Sequence, residues 1–343
     1  MPSLTIDDMP VEVEPGATIL DAARKLGIEI PTLCFLEGLA PQTSCMVCLV
    51  KVDGDDKFLP ACATRVRDGM RVESECDEVR DARRTALELL LGDHLGDCIA
   101  PCQAACPAHI DIPLMIRQIA AGRRITVGTA DHCRTCRAPC EKVCRRAVKD
   151  AAVSIRLLGC RVADLSGAGA KAPAATPEKQ FSVHIGRVDA AEIDDFMAGA
   201  SEENRVQPAN GVSFTEDEAR REALRCLHCD CRRQTDCKLR EYAAICGASP
   251  TKYRGERRRF LQAFHPENVI YEPGKCIACG LCVQITRTAA EPLGLTFIGR
   301  GFDVKVAVPF DRSLEEGLRR AAAECVAACP TGALAFKDDT QEA

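Results

Sequence analysis

At 343 residues the chain is long enough for roughly two to four small domains of about 100–200 residues each. A formal charge of −5, from 45 basic and 50 acidic residues, together with no tryptophan and 4% aromatics, leaves neither a phosphate-tracking basic stripe nor a stacking platform; this excludes nucleic acid as the natural partner. No apolar run approaches the roughly 18–20 residues that span a bilayer, and the acidic start MPSLTIDDMPVEVE lacks a signal-peptide core, so a cytoplasmic protein is expected.

The outstanding feature is 23 cysteines. In a reducing compartment they are not expected to form disulfides, and their spacing is that of ligands. They fall into groups: Cys34, Cys45, Cys48, Cys62; Cys98, Cys102, Cys106; Cys133, Cys136, Cys140, Cys144, Cys160; Cys226, Cys229, Cys231, Cys237, Cys246; and Cys276, Cys279, Cys282, Cys325, Cys329. Only Cys76 stands well apart. Gaps of two or three residues let thiolates from one loop or helical turn converge on one inorganic centre. Iron–sulfur clusters are expected, with structural zinc as the alternative chemistry.

Residues 1–78 read as one small domain. Short alternating segments, Leu4–Asp7 and Val11–Glu14, precede a helix over 18–26, with apolar residues at 19, 20, 23 and 26 and Gly27 as its stop. A cysteine loop, a strand over Met46–Val52, a turn at Asp53-Gly54 and a strand near Arg71–Glu73 follow. Cys34, Cys45, Cys48 and Cys62 give C-x10-C-x2-C-x13-C, four thiolates on a small β-grasp, which suits a [2Fe–2S] centre. This motif resembles the N-terminal domain of the large iron–sulfur subunit of respiratory complex I, and the same domain in NAD-linked hydrogenases and formate dehydrogenases.

Residues 79–160 read as a helical domain. Val79–Leu91 has helical spacing and leads to His94, four residues before Cys98. The complex I resemblance implies that His94 ligates a [4Fe–4S] cluster; a neutral imidazole in place of a thiolate would raise its potential. The segments PCQAACPAHIDIP (101–113) and CRAPCEKVCRR (136–146), with VSIR at 153–156, resemble instead the glutamate synthase small subunit and dihydropyrimidine dehydrogenase, where such a domain holds two interleaved [4Fe–4S] clusters. Carried over, the resemblance implies one cluster on Cys106, Cys136 and Cys140, with Cys160 as fourth ligand, and another on Cys98, Cys102 and Cys144, with His94 as fourth. Cys133 is left over as a buried thiol, and His109 is expected to be structural.

That family continues into flavin and nicotinamide domains, which this chain lacks. Gly167–Ala172 formally matches G-x-G-x-x-A, but no strand precedes it and Pro173 and Pro177 prevent a following helix. Leu165–Gln180 reads as an Ala/Pro/Gly linker, residues 161–214 as the remnant of a deletion, and no flavin is expected. Thr215 caps a helix with an acidic first turn that runs into Cys226, Cys229, Cys231 and Cys237, a set fit for a [4Fe–4S] cluster or zinc within a Cys-rich helical segment, 215–260. Arg254–Arg259 is a basic run, a solvated face or a docking face for an acidic partner.

Residues 261–343 resemble a bacterial-type ferredoxin. Its interleaved pattern gives one complete [4Fe–4S] set, Cys276, Cys279, Cys282 and Cys329. The second set would fall on Thr286, Arg319, Ala322 and Cys325, so that cluster is expected to be absent.

The expected fold class is a multi-domain α+β iron–sulfur protein with one [2Fe–2S] and about four [4Fe–4S] centres. The resemblances imply an electron-transfer subunit of a multi-subunit oxidoreductase, not catalytic alone. Its partners would be an NADH-binding flavoprotein subunit, a catalytic subunit of hydrogenase, formate dehydrogenase or 2-oxoacid oxidoreductase type, and soluble ferredoxin. The alternatives are a flavin-binding reductase subunit and a zinc-stapled assembly scaffold.

Overall fold

The computed structural model describes residues 1–53, 57–127, 130–166, 182–233, 235–266 and 268–337. The chain forms two compact units. The first is built from Met1–His94, Thr235–Arg258 and Ala263–Lys337, the second from Leu95–Gln234 with Arg259–Gln262.

The first unit begins with strands β1 (Ser3–Ile6) and β2 (Met9–Glu12), an antiparallel hairpin, followed by helix α1 (Ile19–Lys25). Strands β3 (Leu49–Val52), β4 (Phe58–Pro60) and β5 (Met70–Glu73) complete a sheet of order β2-β1-β5-β3-β4, in which β1 and β5 are parallel. Alternation puts Leu4, Ile6, Val50, Val52, Met70 and Val72 on the buried face, against Ile19, Leu20, Ala22 and Ala23 of α1. A reciprocal capping box of Thr18 and Asp21 starts α1, and Gly27, at φ +74°, ends it. Strand β4 is the element the sequence pattern did not announce; three residues give too little alternation to register.

Helix α2 (Asp77–Gly92) buries Val79, Leu87 and Leu91. Arg83 on the same face donates twice to the Leu49 carbonyl, from Nε at 3.2 Å and Nη2 at 3.0 Å, fixing α2 to β3. Strands β6 (Ala263–His265), β7 (Val269–Tyr271) and β10 (Leu334–Phe336) form an antiparallel sheet, while β8 (Thr296–Ile298) and β9 (Lys305–Ala307) pair as a hairpin. Helices Leu281–Thr288 and Ala322–Ala328 close this core around Ile285, Leu318, Cys325 and Val326, and the Tyr271 hydroxyl donates to the Val306 carbonyl at 2.6 Å.

The second unit is helical. Ile112–Ala120, Ile155–Ser166 and Glu216–Ala223 share one core through Ile112, Met115, Ile116, Leu158, Val162, Ala219 and Ala223. Thr215 and Glu218 cap the last helix as expected, but it stops at Leu224 and does not run on to Cys226. The reason is Arg225, fully buried: its guanidinium is drawn to Glu222 (2.8 Å), Asp150 (3.1 Å) and the carbonyls of Ala151 (2.8 Å) and Glu203 (3.0 Å). Arg146 holds the same Asp150 through two hydrogen bonds, at 2.7 and 2.9 Å. Helix Ile155–Ser166 takes up the first two residues of the expected linker. The rest of the linker, with Gly167–Ala172, lies outside the described residues.

Helices and mostly antiparallel strands together are compatible with an α+β chain. Among the described residues no helix is long and apolar enough to cross a membrane.

Candidate metal centres

All 23 cysteines are among the described residues and none is in a disulfide. Cys34, Cys45, Cys48 and Cys62 are all buried, and Cys48 and Cys62 belong to the first sheet's core. They associate in pairs. Cys48 Sγ and Cys62 Sγ are 3.4 Å apart, and Cys34 and Cys45 share a hydrogen bond. Within each pair the hydrogen bond lowers one thiol's pKa, Cys34 or Cys48, and raises the other's. The loop that carries Cys45 and Cys48 is wound tightly, with Thr43 and Met46 both at φ +53°. This winding turns backbone N–H groups of Ser44, Cys45 and Val47 onto the sulfurs, which favours the thiolate form.

Cys276, Cys279, Cys282 and Cys329 line one cavity in the same unit, with Tyr271 and Thr331. The first three lie on the turn into helix Leu281–Thr288 and on its first residues, and Cys329 caps helix Ala322–Ala328. Burial pushes Cys276 up to about 11 and Cys279 up to about 12. The protein alone therefore keeps these sulfurs as thiols, and a cationic core is what would draw off the protons. Cys325 is buried and directs its sulfur to the Cys282 carbonyl at 3.8 Å.

The second unit holds two more thiol-lined cavities. One is lined by Cys106, Cys133, Cys136 and Cys140. Cys133, which the family resemblance left over, thus joins the three cysteines expected together; its pKa is raised to about 12 by burial and by Cys160, Cys106, Cys140 and Cys136, in that order. Cys160 is close enough to act on Cys133 but does not line the cavity. The signal available in the sequence was the C-x2-C of Cys133 and Cys136.

The other cavity is lined by Cys102, Cys144, Cys226 and Cys229. The structure therefore brings Cys102 and Cys144 together, as expected, and places against them two cysteines that spacing had grouped with Cys231 and Cys237. No local spacing could have revealed this, because the segments lie far apart in sequence. Buried Arg145 is hydrogen-bonded to Cys229, pairs with Asp97 and lies over the Phe196 ring at 5.5 Å. Cys98 and Cys231 are buried in this unit and line neither cavity.

His94 and Cys237 belong to the first unit. His94 Nδ1 is enclosed without a hydrogen-bond partner, and burial with the nearby Lys275 charge lowers its pKa to about 4. Its imidazole is therefore neutral and able to donate a lone pair. Cys237 lies 4.0 Å from the Pro330 carbonyl. Among the described residues no group of three or more His, Cys, Asp and Glu side chains is arranged to hold a single metal ion.

Comparison with known proteins bears on the N-terminal domain. Residues 2–76 match the family of 2Fe-2S iron-sulfur cluster binding domains. A stretch of 94 residues is 45% identical to an NADH-quinone oxidoreductase subunit of Rhizobium meliloti (strain 1021), covering 27% of this chain and 11% of that protein. Over 99 residues the chain is 50% identical to NADP-reducing hydrogenase subunit HndD of Solidesulfovibrio fructosivorans, covering 27% of this chain and 17% of that one. The chain thus matches well under a fifth of the length of these relatives. A solved structure of an NAD+-reducing [NiFe]-hydrogenase in the H2-reduced state aligns over 100% of this chain and 90% of its own, with a TM-score of 0.53 and 18% identity, a likeness of fold. The N-terminus is thus a [2Fe–2S] domain of a kind found in relatives named as subunits of NADH- and NADP-linked oxidoreductases.

Proposed function

We propose that this chain is an iron–sulfur electron-transfer subunit of a multi-subunit oxidoreductase, relaying electrons between an NAD(H)-linked flavoprotein subunit and a catalytic subunit. The catalytic partner is of hydrogenase, formate dehydrogenase or 2-oxoacid oxidoreductase type. One observation carries the proposal: a [2Fe–2S] domain and three separate four-thiol cavities occur in a single chain. The names of the relatives supply the NAD(P)H link.

The donor sets suit iron–sulfur cores, which when bound store and pass single electrons. Cys34, Cys45, Cys48 and Cys62 would hold the [2Fe–2S] centre. Cys276, Cys279, Cys282 and Cys329 would hold a [4Fe–4S] centre, and Cys106, Cys136 and Cys140 another. For the fourth place in the latter, its position supports Cys133 over Cys160. The apolar walls exclude water from these sulfurs, and the backbone amides directed at Cys34 and Cys45 hold negative charge in place.

The test is a count of iron, zinc, acid-labile sulfide and flavin on anaerobically purified protein. About 18 iron per chain without flavin is expected for one [2Fe–2S] and four [4Fe–4S] centres, and about 14 for three [4Fe–4S] centres. Several zinc and little iron would leave a stapled scaffold instead. NADH oxidation by the pure chain alone, or bound flavin, would overturn the relay in favour of a reductase.

A further inference from the structure

Cys226 and Cys229 keep unexpected company. Only one residue separates Cys229 from Cys231, yet the sulfurs of Cys226 and Cys229 face Cys102 and Cys144 across one cavity of the second unit. We propose that Cys102, Cys144, Cys226 and Cys229 together hold a single [4Fe–4S] cluster. The proposal rests on the electron-transfer function above and assigns its least local site.

The four donors come from three separate segments of the chain. Cys102 lies in the short helix Pro101–Ala104, and Cys144 caps the turn Arg145–Val148. Cys226 and Cys229 follow the end of helix Glu216–Ala223, where His228 takes φ +49° and its N–H reaches the Cys226 sulfur at 3.4 Å. A left-handed residue between the two cysteines bends the backbone so that both thiols turn inward. The rest of the wall is apolar, Ile116, Val153 and Leu227 among it, apart from Arg145 and Arg146, and it includes no side-chain oxygen donor.

The charges around the cavity agree. Four thiolates on a [4Fe–4S]2+ core leave about two net negative charges, costly to bury without cations nearby. Three buried or half-buried guanidinium groups lie close by, each also paired with a carboxylate: Arg145, beside Cys229, with Asp97; Arg225, beside Cys144, with Glu222 and Asp150; and Arg117, beside Cys226, with Asp230. Asp230, the nearest carboxylate in sequence, is engaged by Arg117 at 2.8 Å.

The full-length chain, purified anaerobically, tests the proposal through C102A, C226A and the double variant, with iron and sulfide counts and EPR of the dithionite-reduced protein. A shared cluster predicts that each single variant loses about four iron and the same EPR signal, and that the double variant loses no more. Loss of about eight iron in the double variant would overturn it, as would C226A abolishing the signal that C231A abolishes while C102A abolishes another. A wild-type chain with almost no iron would instead refute the electron-transfer function itself. Far-UV circular dichroism and limited proteolysis of the helical second unit report whether each variant is folded. Should the variants not fold, alkylation of the wild-type chain during stepwise oxidative cluster loss decides. Cys102, Cys144, Cys226 and Cys229 are expected to become reactive together; Cys226 and Cys229 opening in step with Cys231 and Cys237 would refute the shared cage.

Discussion

Replacing Arg225 with methionine removes the side chain on which the polar interior of the second unit converges. Arg225 and Glu222 are both fully buried, and the guanidinium makes four hydrogen bonds, two to carboxylates and two to backbone carbonyls. Asp150 keeps its two bonds from Arg146 in the variant, so its loss is partial. Glu222 keeps only the amides of Ser154 and Val206, at 2.7 and 2.8 Å, and becomes a buried charge without a counter-charge. Removing one partner of a buried ion pair costs about 3–5 kcal/mol, which corresponds to roughly a thousandfold in an opening equilibrium. Native-state hydrogen exchange followed by mass spectrometry reads this locally and needs no two-state unfolding of a cluster protein. Exchange of the Ser154 and Val206 amides should rise by about that factor in R225M and by less in R225K, which retains the charge. Unchanged protection at both amides would refute the reasoning, because it would mean that Arg225 does not organise this interior.

Three further outcomes are expected. Hydrogen bonds from Arg146, then from the Ala151 amide and Arg225, hold the Asp150 carboxyl well below its ordinary range, although burial opposes them. Its stabilisation is therefore present above the unfolded value of about 3.9 and lost as pH falls below it, so the acid-induced drop in melting temperature below about pH 4 should be shallower in D150N than in wild type. Gly299 sits at φ +85°, and a Cβ there would lie 2.4 Å from the Asp303 carbonyl oxygen, so G299A should cost about 1–3 kcal/mol by strain in the β8–β9 hairpin; a melting temperature equal to wild type would contradict this. Removing the cation beside Cys229 makes addition of an electron to that centre harder, so R145Q should lower its midpoint potential by tens of millivolts in a redox titration, while R145K, which keeps the charge, should shift it less.

What could be read in the sequence follows how local each interaction is. The helix over α1 and the hairpin of β1 and β2 were legible because capping residues, alternation and a terminal glycine all act within a few residues. The N-terminal donor set was legible for the same reason: Cys45 and Cys48 share one loop, and Cys34 and Cys62 lie just outside it. The second unit is different. There Cys226 meets Cys102 only through a helical core that no short-range rule specifies, and nearby Cys231 and Cys237 offer the shorter connection. The early end of helix Glu216–Ala223 was hidden likewise, since it depends on Arg225 finding acceptors at Asp150, Ala151 and Glu203, all distant in sequence.

The first unit is discontinuous along the chain, and this has a consequence for its synthesis. Glu88 of α2 receives the Ser249 amide at 3.2 Å and the Lys252 ammonium at 2.7 Å, partners that are translated only after all of residues 95–234. The N-terminal sheet can collapse early on local contacts, but α2 must wait on the ribosome for helix Lys238–Ile245 and the turn after it, which cover it. Most of the second unit, by contrast, is one uninterrupted stretch and can close as it emerges. The entropy of joining ends across so long a loop grows only logarithmically, by about 0.6 kcal/mol per doubling of length, so the detour is thermodynamically mild. Its burden is kinetic: a nascent chain with exposed apolar surface and many unprotected thiols, during which chaperones and the cluster-delivery machinery of the cell have their opportunity to act.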